Sequence, residues 1–397
     1  MNFLSINSIY KEIKWRLLFK KLRKIEFLIL DVDGVLTDGG LWFQNDGYIL
    51  KRFDVKDGLS LNLAQEAGIK IILISGGEGF CTEIRASQLG IKDYFFGVKD
   101  KYKKVLLEAV TLDHNSSKSH ILNTNGVDFE VNKGMYGFSS MFTSKDGKDT
   151  SSFNYTGVEK LDLNQSLDKY GHVSELLRQS EEQVKSSPIN SKFVGEIIVT
   201  PHCLSEFISF IDYSISDNAL ISGTSIYKDK VDEKIASETF TLSSNPVHEK
   251  IDSGYHITSD TYKSKNQSII KNGVLQTHLL SLYGANKTGG IRVPNQGGNY
   301  MISGSTSSLD NMIKNIKKGI LLCRFSGGSP SDSGDFSGVA KNSYYIENGQ
   351  IKFPIIETMI SGNIAQMFLN IKNISHETVD FGDSILPWIS FDGITVS

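Results

Sequence analysis

Three short apolar runs constrain the front of this chain more than any other feature. Phe27–Leu30, Lys70–Ile74 and Asp93–Phe96 carry little polar interruption, and stretches of helical period lie between and after them, at Leu59–Ala67, Phe80–Leu89 and Lys101–Ala109. Strands that are apolar on both faces and alternate with helices pack into a parallel sheet covered on its two sides. Two further β-like pieces, Leu41–Phe43 and Tyr48–Phe53, flank Asn45-Asp46-Gly47, and an Asp-Gly pair in that setting predicts a hairpin. Residues 25–110 therefore read as an α/β segment with a parallel sheet and one added β-hairpin.

After Val110 the texture changes. Polar, turn-like His114–Ser119 opens a region rich in Ser, Asn, Thr, Gly and Tyr, in which short alternating stretches recur at Ile197–Thr200, Gly319–Phe325, Asn342–Ile346 and Ile351–Ile356. Asn348-Gly349 between the last two predicts another hairpin. Helical periods fall at Gln165–Lys185, Leu204–Asp212 and Ser308–Lys318. Ahead of Ile25, residues 11–24 gather seven basic side chains against Glu12, with Ile13, Trp15, Leu17, Leu18 and Phe19 interleaved. Such a segment is either a membrane-surface helix or a solvated amphipathic leader, and the second is expected. The chain thus reads as a leader (1–24), an α/β segment (25–110) and a long β-rich region (111–397), without a tandem repeat.

Composition removes several function classes. A chain of 397 residues with 39% hydrophobic and 22% charged residues is an ordinary globular protein of two or three domains. A net charge of -3 offers phosphate no global attraction, so no nucleic-acid partner is expected. Cys81, Cys203 and Cys323 are too scattered for a disulfide framework, and no CxxC is present to build a structural zinc site. No run approaches the ~20 apolar residues of a membrane span. The opening residues lack the apolar core of a signal peptide, and a cytoplasmic, reduced protein is expected.

Asp31-Val32-Asp33-Gly34 follows the first apolar run directly. Two carboxylates at the carboxyl end of a parallel strand stand where open α/β sheets bind ligands. Together they suit Mg²⁺, or one can attack a phosphoryl group while the other moves a proton. Ser75, at the end of the second run, offers a hydroxyl to a phosphoryl oxygen, and Lys101 offers an ammonium. Read singly, each residue is a turn acid or a surface lysine; the joint pattern is more specific. The stretches LILDVDGVLTDGGLWF, GYILKRFDVKDGLSL, IILISGG and LGIKDYFFGVKDKYKKVLLEA resemble the haloacid-dehalogenase superfamily, within it the small phosphatases of the 3-deoxy-manno-octulosonate 8-phosphate phosphatase type. The resemblance covers residues 25–109. It implies Asp31 as nucleophile, Asp33 as acid/base, Ser75 as the phosphate-binding hydroxyl, Lys101 as the charge-stabilising lysine, and Mg²⁺ at Asp31 and Asp33. That family usually carries an arginine after the Ser/Thr-Gly pair, where this chain has Gly77, and continues into an acidic motif that completes the metal site, which does not follow Ala109. A truncated, inactive phosphatase segment with an incomplete magnesium site is expected.

The longer region carries a second resemblance. IIKNGVLQTHLLSLYGANKTGG, the segment Pro294–Ser303, GILLCRFSGGSPSDSGDFSGVAKNSYYIENGQIK and IETMISGNIAQMFLNI with PWISFDGITV resemble the TldD/PmbA family of modulator-of-gyrase proteins, closest to its PmbA (TldE) branch. This implies an α+β, mostly antiparallel β-rich domain over residues 111–397, without the family's usual N-terminal domain. TldD-like members carry HExxxH and a later cysteine for zinc. Here the corresponding helix reads Pro201-His202-Cys203-Leu204-Ser205-Glu206-Phe207-Ile208, and Phe381–Pro387 contains no cysteine. His248-Glu249 has Ser253 where a second histidine would stand, and His202 and Cys203 diverge by ~100° on a helix. No zinc is expected. The resemblance implies a zinc-free subunit that packs against a TldD-like catalytic subunit and helps to hold a peptide substrate, with self-association left open. Ser326, Gly327, Gly328 and the stretch through Asp335 and Phe336 are candidate peptide-lining residues; hairpin and bulge geometry is an equal explanation of the glycines.

Overall fold

A computed structural model describes residues 25–44, 49–76, 80–95, 102–124 and 126–397. The basic leader, the Asn45-Asp46-Gly47 turn, Gly77 and Lys101 lie outside the described residues. The chain divides into two compact units, residues 1–103 and 104–397. That division falls a few residues ahead of the change in texture near Val110.

In the first unit, β1 (Phe27–Asp31) is followed by β2 (Trp42–Phe43), β3 (Ile49–Leu50), α1 (Val55–Glu66), β4 (Lys70–Ile74), α2 (Phe80–Gln88) and β5 (Asp93–Phe95). All three apolar runs are strands, and they form one parallel sheet in the order β1-β4-β5. β2 and β3 pair antiparallel as the hairpin arms. Asp54 caps α1, its carboxylate accepting from the Lys56 N–H at 2.8 Å. Val32, Leu36, Leu61, Leu73 and Ala86 bury one face of this sheet. The other face departs from the expectation of two-sided cover: Phe27 and Ile29 remain 42% and 49% exposed. Residues 105–109 of the third expected helix are strand instead.

That strand, β6 (Val105–Leu122), opens the second unit and pairs antiparallel with β7 (Asp128–Asp146), from Val105↔Ser144 to Leu122↔Asp128 with one register shift between Leu107 and Ala109. Val105-Leu106-Leu107-Glu108-Ala109 suits a helix locally, but the long partner strand supplies backbone hydrogen bonds that override a weak propensity. β8 (Asp149–Thr150) and β9 (Asn154–Lys160) also pair with β7. A 3₁₀ turn at Leu167–His172 leads into α3 (Val173–Glu182). Phe138, Val158, Tyr170 and Val173 bury the contact between this sheet and the start of α3.

The rest of the unit is built on one large mixed sheet. Its elements run β10 (Phe193–Val199), α4 (Pro201–Ser214), α5 (Asp217–Ser222), β11 (Thr241–Ser244), β12 (Gln267–Lys271), β13 (Val274–Leu275), α6 (Leu282–Thr288), β14 (Tyr300–Ser303), α7 (Leu309–Asn315), β15 (Lys318–Leu322), β16 (Arg324–Gly327), β17 (Asp335–Lys341), β18 (Tyr344–Glu347), β19 (Gln350–Pro354), β20 (Thr358–Asn363), α8 (Ile364–Leu369), β21 (Ile371–Asp380) and β22 (Ile385–Val396). β22 is the hub: it pairs with β10, β14, β20 and β21. Most pairings are antiparallel, with β10–β15 and β14–β22 parallel. The Asn348-Gly349 hairpin forms as expected, with both residues at positive φ between β18 and β19. The run Gly319–Phe325, read as one strand, splits at buried Cys323 into β15 and β16, which take different partners. Alternation along β10 buries Ile197 and Val199 in the large core with α4, and Ile198 in a smaller core with Met312 of α7. No helix among the described residues is long and apolar enough to cross a membrane.

Candidate functional site

In the first unit the parallel pairing of β1 and β4 sets Asp31 opposite Ile74, so Asp31, Asp33 and Ser75 emerge at the same end of adjacent strands. The turn after β1 is knotted by Thr37, whose Oγ1 accepts from the Gly34 and Gly39 N–H groups. Gly34 and Gly39 both take positive φ there, which a side chain would strain. Asp31 Oδ1 accepts from the Val32 N–H at 2.7 Å. Asp33 Oδ2 accepts from the buried Ser75 hydroxyl at 3.1 Å. Lys51, which the sequence reading did not single out, places Nζ 2.7 Å from Asp33 Oδ1, with its side chain only 3% exposed. Its signal was a lysine on the hairpin arm inside GYILKRFDVKDGLSL, but nothing local says that it folds back onto the first aspartate loop. Lys101 falls outside the described residues. Asp33 is bonded by Lys51 and Ser75, and the described residues contain no group of three His, Cys, Asp or Glu side chains placed together.

The second unit carries a cleft of about 690 Å³ along α4. Thr200 and Pro201 start this helix, proline at its first turn being a favoured entry. Leu204, Phe207, Ile208 and Ile211 bury one face, while Glu206, Ser209 and Tyr213 look outward into the cleft. The opposite wall is Phe325–Asp332, with Phe336 and Ile364. Its floor is an aromatic trio: Phe207, Phe325 and Phe336 have ring centroids 5.5–5.7 Å apart, two of the three pairs edge-on. Gly327 and Gly338 face each other across β16 and β17, and a Cβ on either would fall within 2.6 Å of the Phe325 ring. These glycines let the ring lie across the strand pair. Gly328 has open space beside it.

The sequence-predicted residues separate here. Ser326, Gly327 and Gly328 line the cleft, at the end of a strand whose single partner among the described residues is β17. Phe336 is 5% exposed and acts as floor rather than rim. The Asp335 carboxylate is taken up by its surroundings, accepting from Ser333 of its own loop at 2.7 Å and from Asn363 at the end of β20 at 2.9 Å; the Asn363 bond, then the Ser333 bond, holds it below the usual carboxylate range. Glu206, Ser209 and Tyr213 were missed as a set, though their spacing along α4 was readable. Arg324, on β16, bonds Asn154 Oδ1 and the Tyr155 carbonyl and stacks on the Tyr155 ring at 3.9 Å.

His202 and Cys203 diverge as helical geometry requires. Cys203 is buried in the core. His202 places Nε2 2.9 Å from the Gly171 carbonyl, an acceptor that requires Nε2 to carry the proton. Burial, reinforced by the Arg324 charge, pushes its pKa down to about 3, so it is neutral at physiological pH. His248 sits in a loop, its Nδ1 accepting from the Lys250 N–H at 3.1 Å.

Comparison with known proteins assigns the larger unit. Residues 194–397, just over half of the chain, match the family model of the PmbA/TldA metallopeptidase C-terminal domain. The chain belongs to the PmbA/TldA metallopeptidase family. It is 28% identical over 187 residues to the metalloprotease PmbA of Escherichia coli O157:H7, covering 44% of this chain and 41% of that protein. TldE from Thermococcus kodakarensis shares the fold, with a TM-score of 0.62 at 22% identity over 70% of this chain and 66% of that one. The front of the chain is similar to another protein: 42% identity over 82 residues to the 3-deoxy-D-manno-octulosonate 8-phosphate phosphatase KdsC of Haemophilus influenzae, 21% of this chain and 46% of that enzyme. The PmbA/TldA-family chain spans about half the length of the curated relatives it matches.

Proposed function

We propose that the family region serves as a zinc-free, PmbA/TldE-like subunit of a TldD/PmbA-type metallopeptidase complex, holding an extended peptide for a TldD-like catalytic subunit. The observation that carries this reading is the α4 cleft. Where the TldD-like relatives are expected to carry HExxxH, α4 offers Glu206, Ser209, Phe210 and Tyr213, with no histidine among them. β16 beside it keeps an edge to which an extended chain can add by backbone hydrogen bonds. Among the described residues the cleft is lined by the carboxylates of Glu206 and Asp332 and by no basic side chain, so a segment bearing lysine or arginine over the aromatic floor is favoured.

The test is co-expression of the full chain with a TldD-like subunit. A stable complex should form and hydrolyse an unstructured basic peptide. Glu206→Lys should weaken capture of that peptide about tenfold while leaving the complex intact. Failure of the two chains to associate at micromolar concentration overturns the reading.

A second reading rests on the Asp33–Ser75–Lys51 cluster and the similarity to the phosphatase over residues of the first unit. Here Asp31 would attack a sugar phosphate such as 3-deoxy-manno-octulosonate 8-phosphate, with Asp33 as acid/base. If this segment is the inactive remnant that the leading reading takes it for, it should release no phosphate above the background of an Asp31→Asn control, with or without magnesium chloride. Turnover abolished by that substitution would establish the phosphatase instead.

A further inference from the structure

β1, β4 and β5 lie in their sheet in chain order, each joined to the next through one helix. Right-handed crossovers between parallel strands in that order put both connecting helices on one face. Leu61 of α1 and Ala86 of α2 accordingly pack on the same side, with Leu28, Leu30, Ile71 and Leu73. The register defines the other face: Phe27 stands beside Lys70, Ile29 beside Ile72, and Ile74 beside Phe95. Its polar members are Asp31 at one end and the Lys70–Asp93 ion pair, 3.2 Å apart, at the other. Along it Phe27, Ile29, Ile74 and Phe95 are 42%, 49%, 39% and 54% exposed. Neither α1 nor α2 lies on this face. A parallel sheet is normally covered on both sides, and a contiguous apolar patch marks a contact.

We propose that the chain's own basic leader closes this face, residues 11–22 docking on it as an amphipathic helix antiparallel to β1. Trp15, Leu18, Phe19 and Leu22 recur at the spacing of one apolar helical stripe, while Ile13 and Leu17 fall on the opposite side among basic side chains. As a helix these residues span about 18 Å, which matches the ~17 Å of the five-residue strands β1 and β4. Residues 23–26 remain as the link into β1, an ordinary length for a helix-to-strand connection. Charge favours the same contact. The leader carries seven basic side chains against Glu12, whereas residues 25–103 carry twelve acidic and nine basic ones. A segment tethered this closely also outcompetes a second copy, because its effective concentration is roughly millimolar. The inference requires neither the peptide cleft nor phosphatase chemistry.

The test is limited trypsin cleavage of the full chain at the basic residues of the leader, followed by mass spectrometry. A docked leader should be cut at least about tenfold more slowly than in Leu18→Ser with Leu22→Ser, and Phe95→Ser on the sheet should speed the cutting as well. Ile13→Ser with Leu17→Ser, off the stripe, should change the rate by less than about twofold. Cross-linking decides the matter where a serine variant fails to fold. In a Cys81→Ser background, a short bismaleimide should join Leu18→Cys to Ile29→Cys within one chain, at least about tenfold faster than Leu17→Cys to Ile29→Cys, since adjacent helical positions diverge by ~100°. Equal cutting of the unaltered chain and the stripe variant overturns the proposal, as does a cross-link that joins two copies. A leader cut freely in solution and protected only by phosphatidylglycerol vesicles overturns it too, and assigns the segment to a membrane surface.

Discussion

Replacing Phe207 with alanine should remove about 3–5 kcal/mol from the stability of the larger unit, the usual range for deleting a buried phenylalanine. The ring is 1% exposed, sits on α4, and contacts both Phe325 and Phe336. Its loss opens a void directly beneath the α4 cleft, so stability and peptide capture should fall together. Phe207→Leu keeps most of the volume and should lose less than half as much. Because a two-unit chain need not unfold in one step, the measurement is amide hydrogen exchange at β10 and α4 rather than a single melting temperature. A loss below about 1 kcal/mol in Phe207→Ala would mean that the aromatic trio does not support this helix.

Acid should weaken the same unit through His202. Its imidazole has a folded pKa of about 3, against about 6.5 for an unfolded histidine. Between those values the unfolded chain binds the extra proton. The stability contributed by the neutral, buried ring is therefore complete above pH 6.5 and is lost as pH falls, by about 1.4 kcal/mol per pH unit for one such group. Burial lowers His172 as well, so its contribution has the same sign. Between pH 7.5 and pH 4.5, His202 should account for a loss of about 2–3 kcal/mol. The readout is the pH dependence of urea unfolding, compared with His202→Gln, which lacks the titrating group. Carboxylates titrate in both proteins, so the difference isolates the histidine; parallel profiles would refute the assignment.

What the sequence made legible was mainly local. Phe27–Leu30 and Lys70–Ile74 read as strands because a short apolar run between turn signals has few other uses, and Asn348-Gly349 read as a hairpin because both residues tolerate positive φ. What it hid was non-local. Val105–Ala109 looks helical until β7 is placed beside it. Cys323 ends one strand and precedes another because β15 and β16 take different partners. Among candidate site residues, Asp31, Asp33 and Ser75 were found by spacing, since each ends or follows a strand of one sheet. Lys51 was not, because its partner lies on another segment. Phe336 and Asp335 stand next to each other in sequence, yet alternation along β17 makes Phe336 the cleft's floor and turns Asp335 to Ser333 and Asn363. The family resemblance found the glycine-rich segment but could not separate rim from floor.

The place of β22 in the chain order has a consequence for biosynthesis. Four strands lean on it, yet it is the final strand of the sequence given. During translation β10, β14, β20 and β21 would leave the ribosome before their common neighbour exists, with apolar side chains such as Ile197 and Ile360 still uncovered. In such a chain the large sheet cannot close around its centre until β22 has been made.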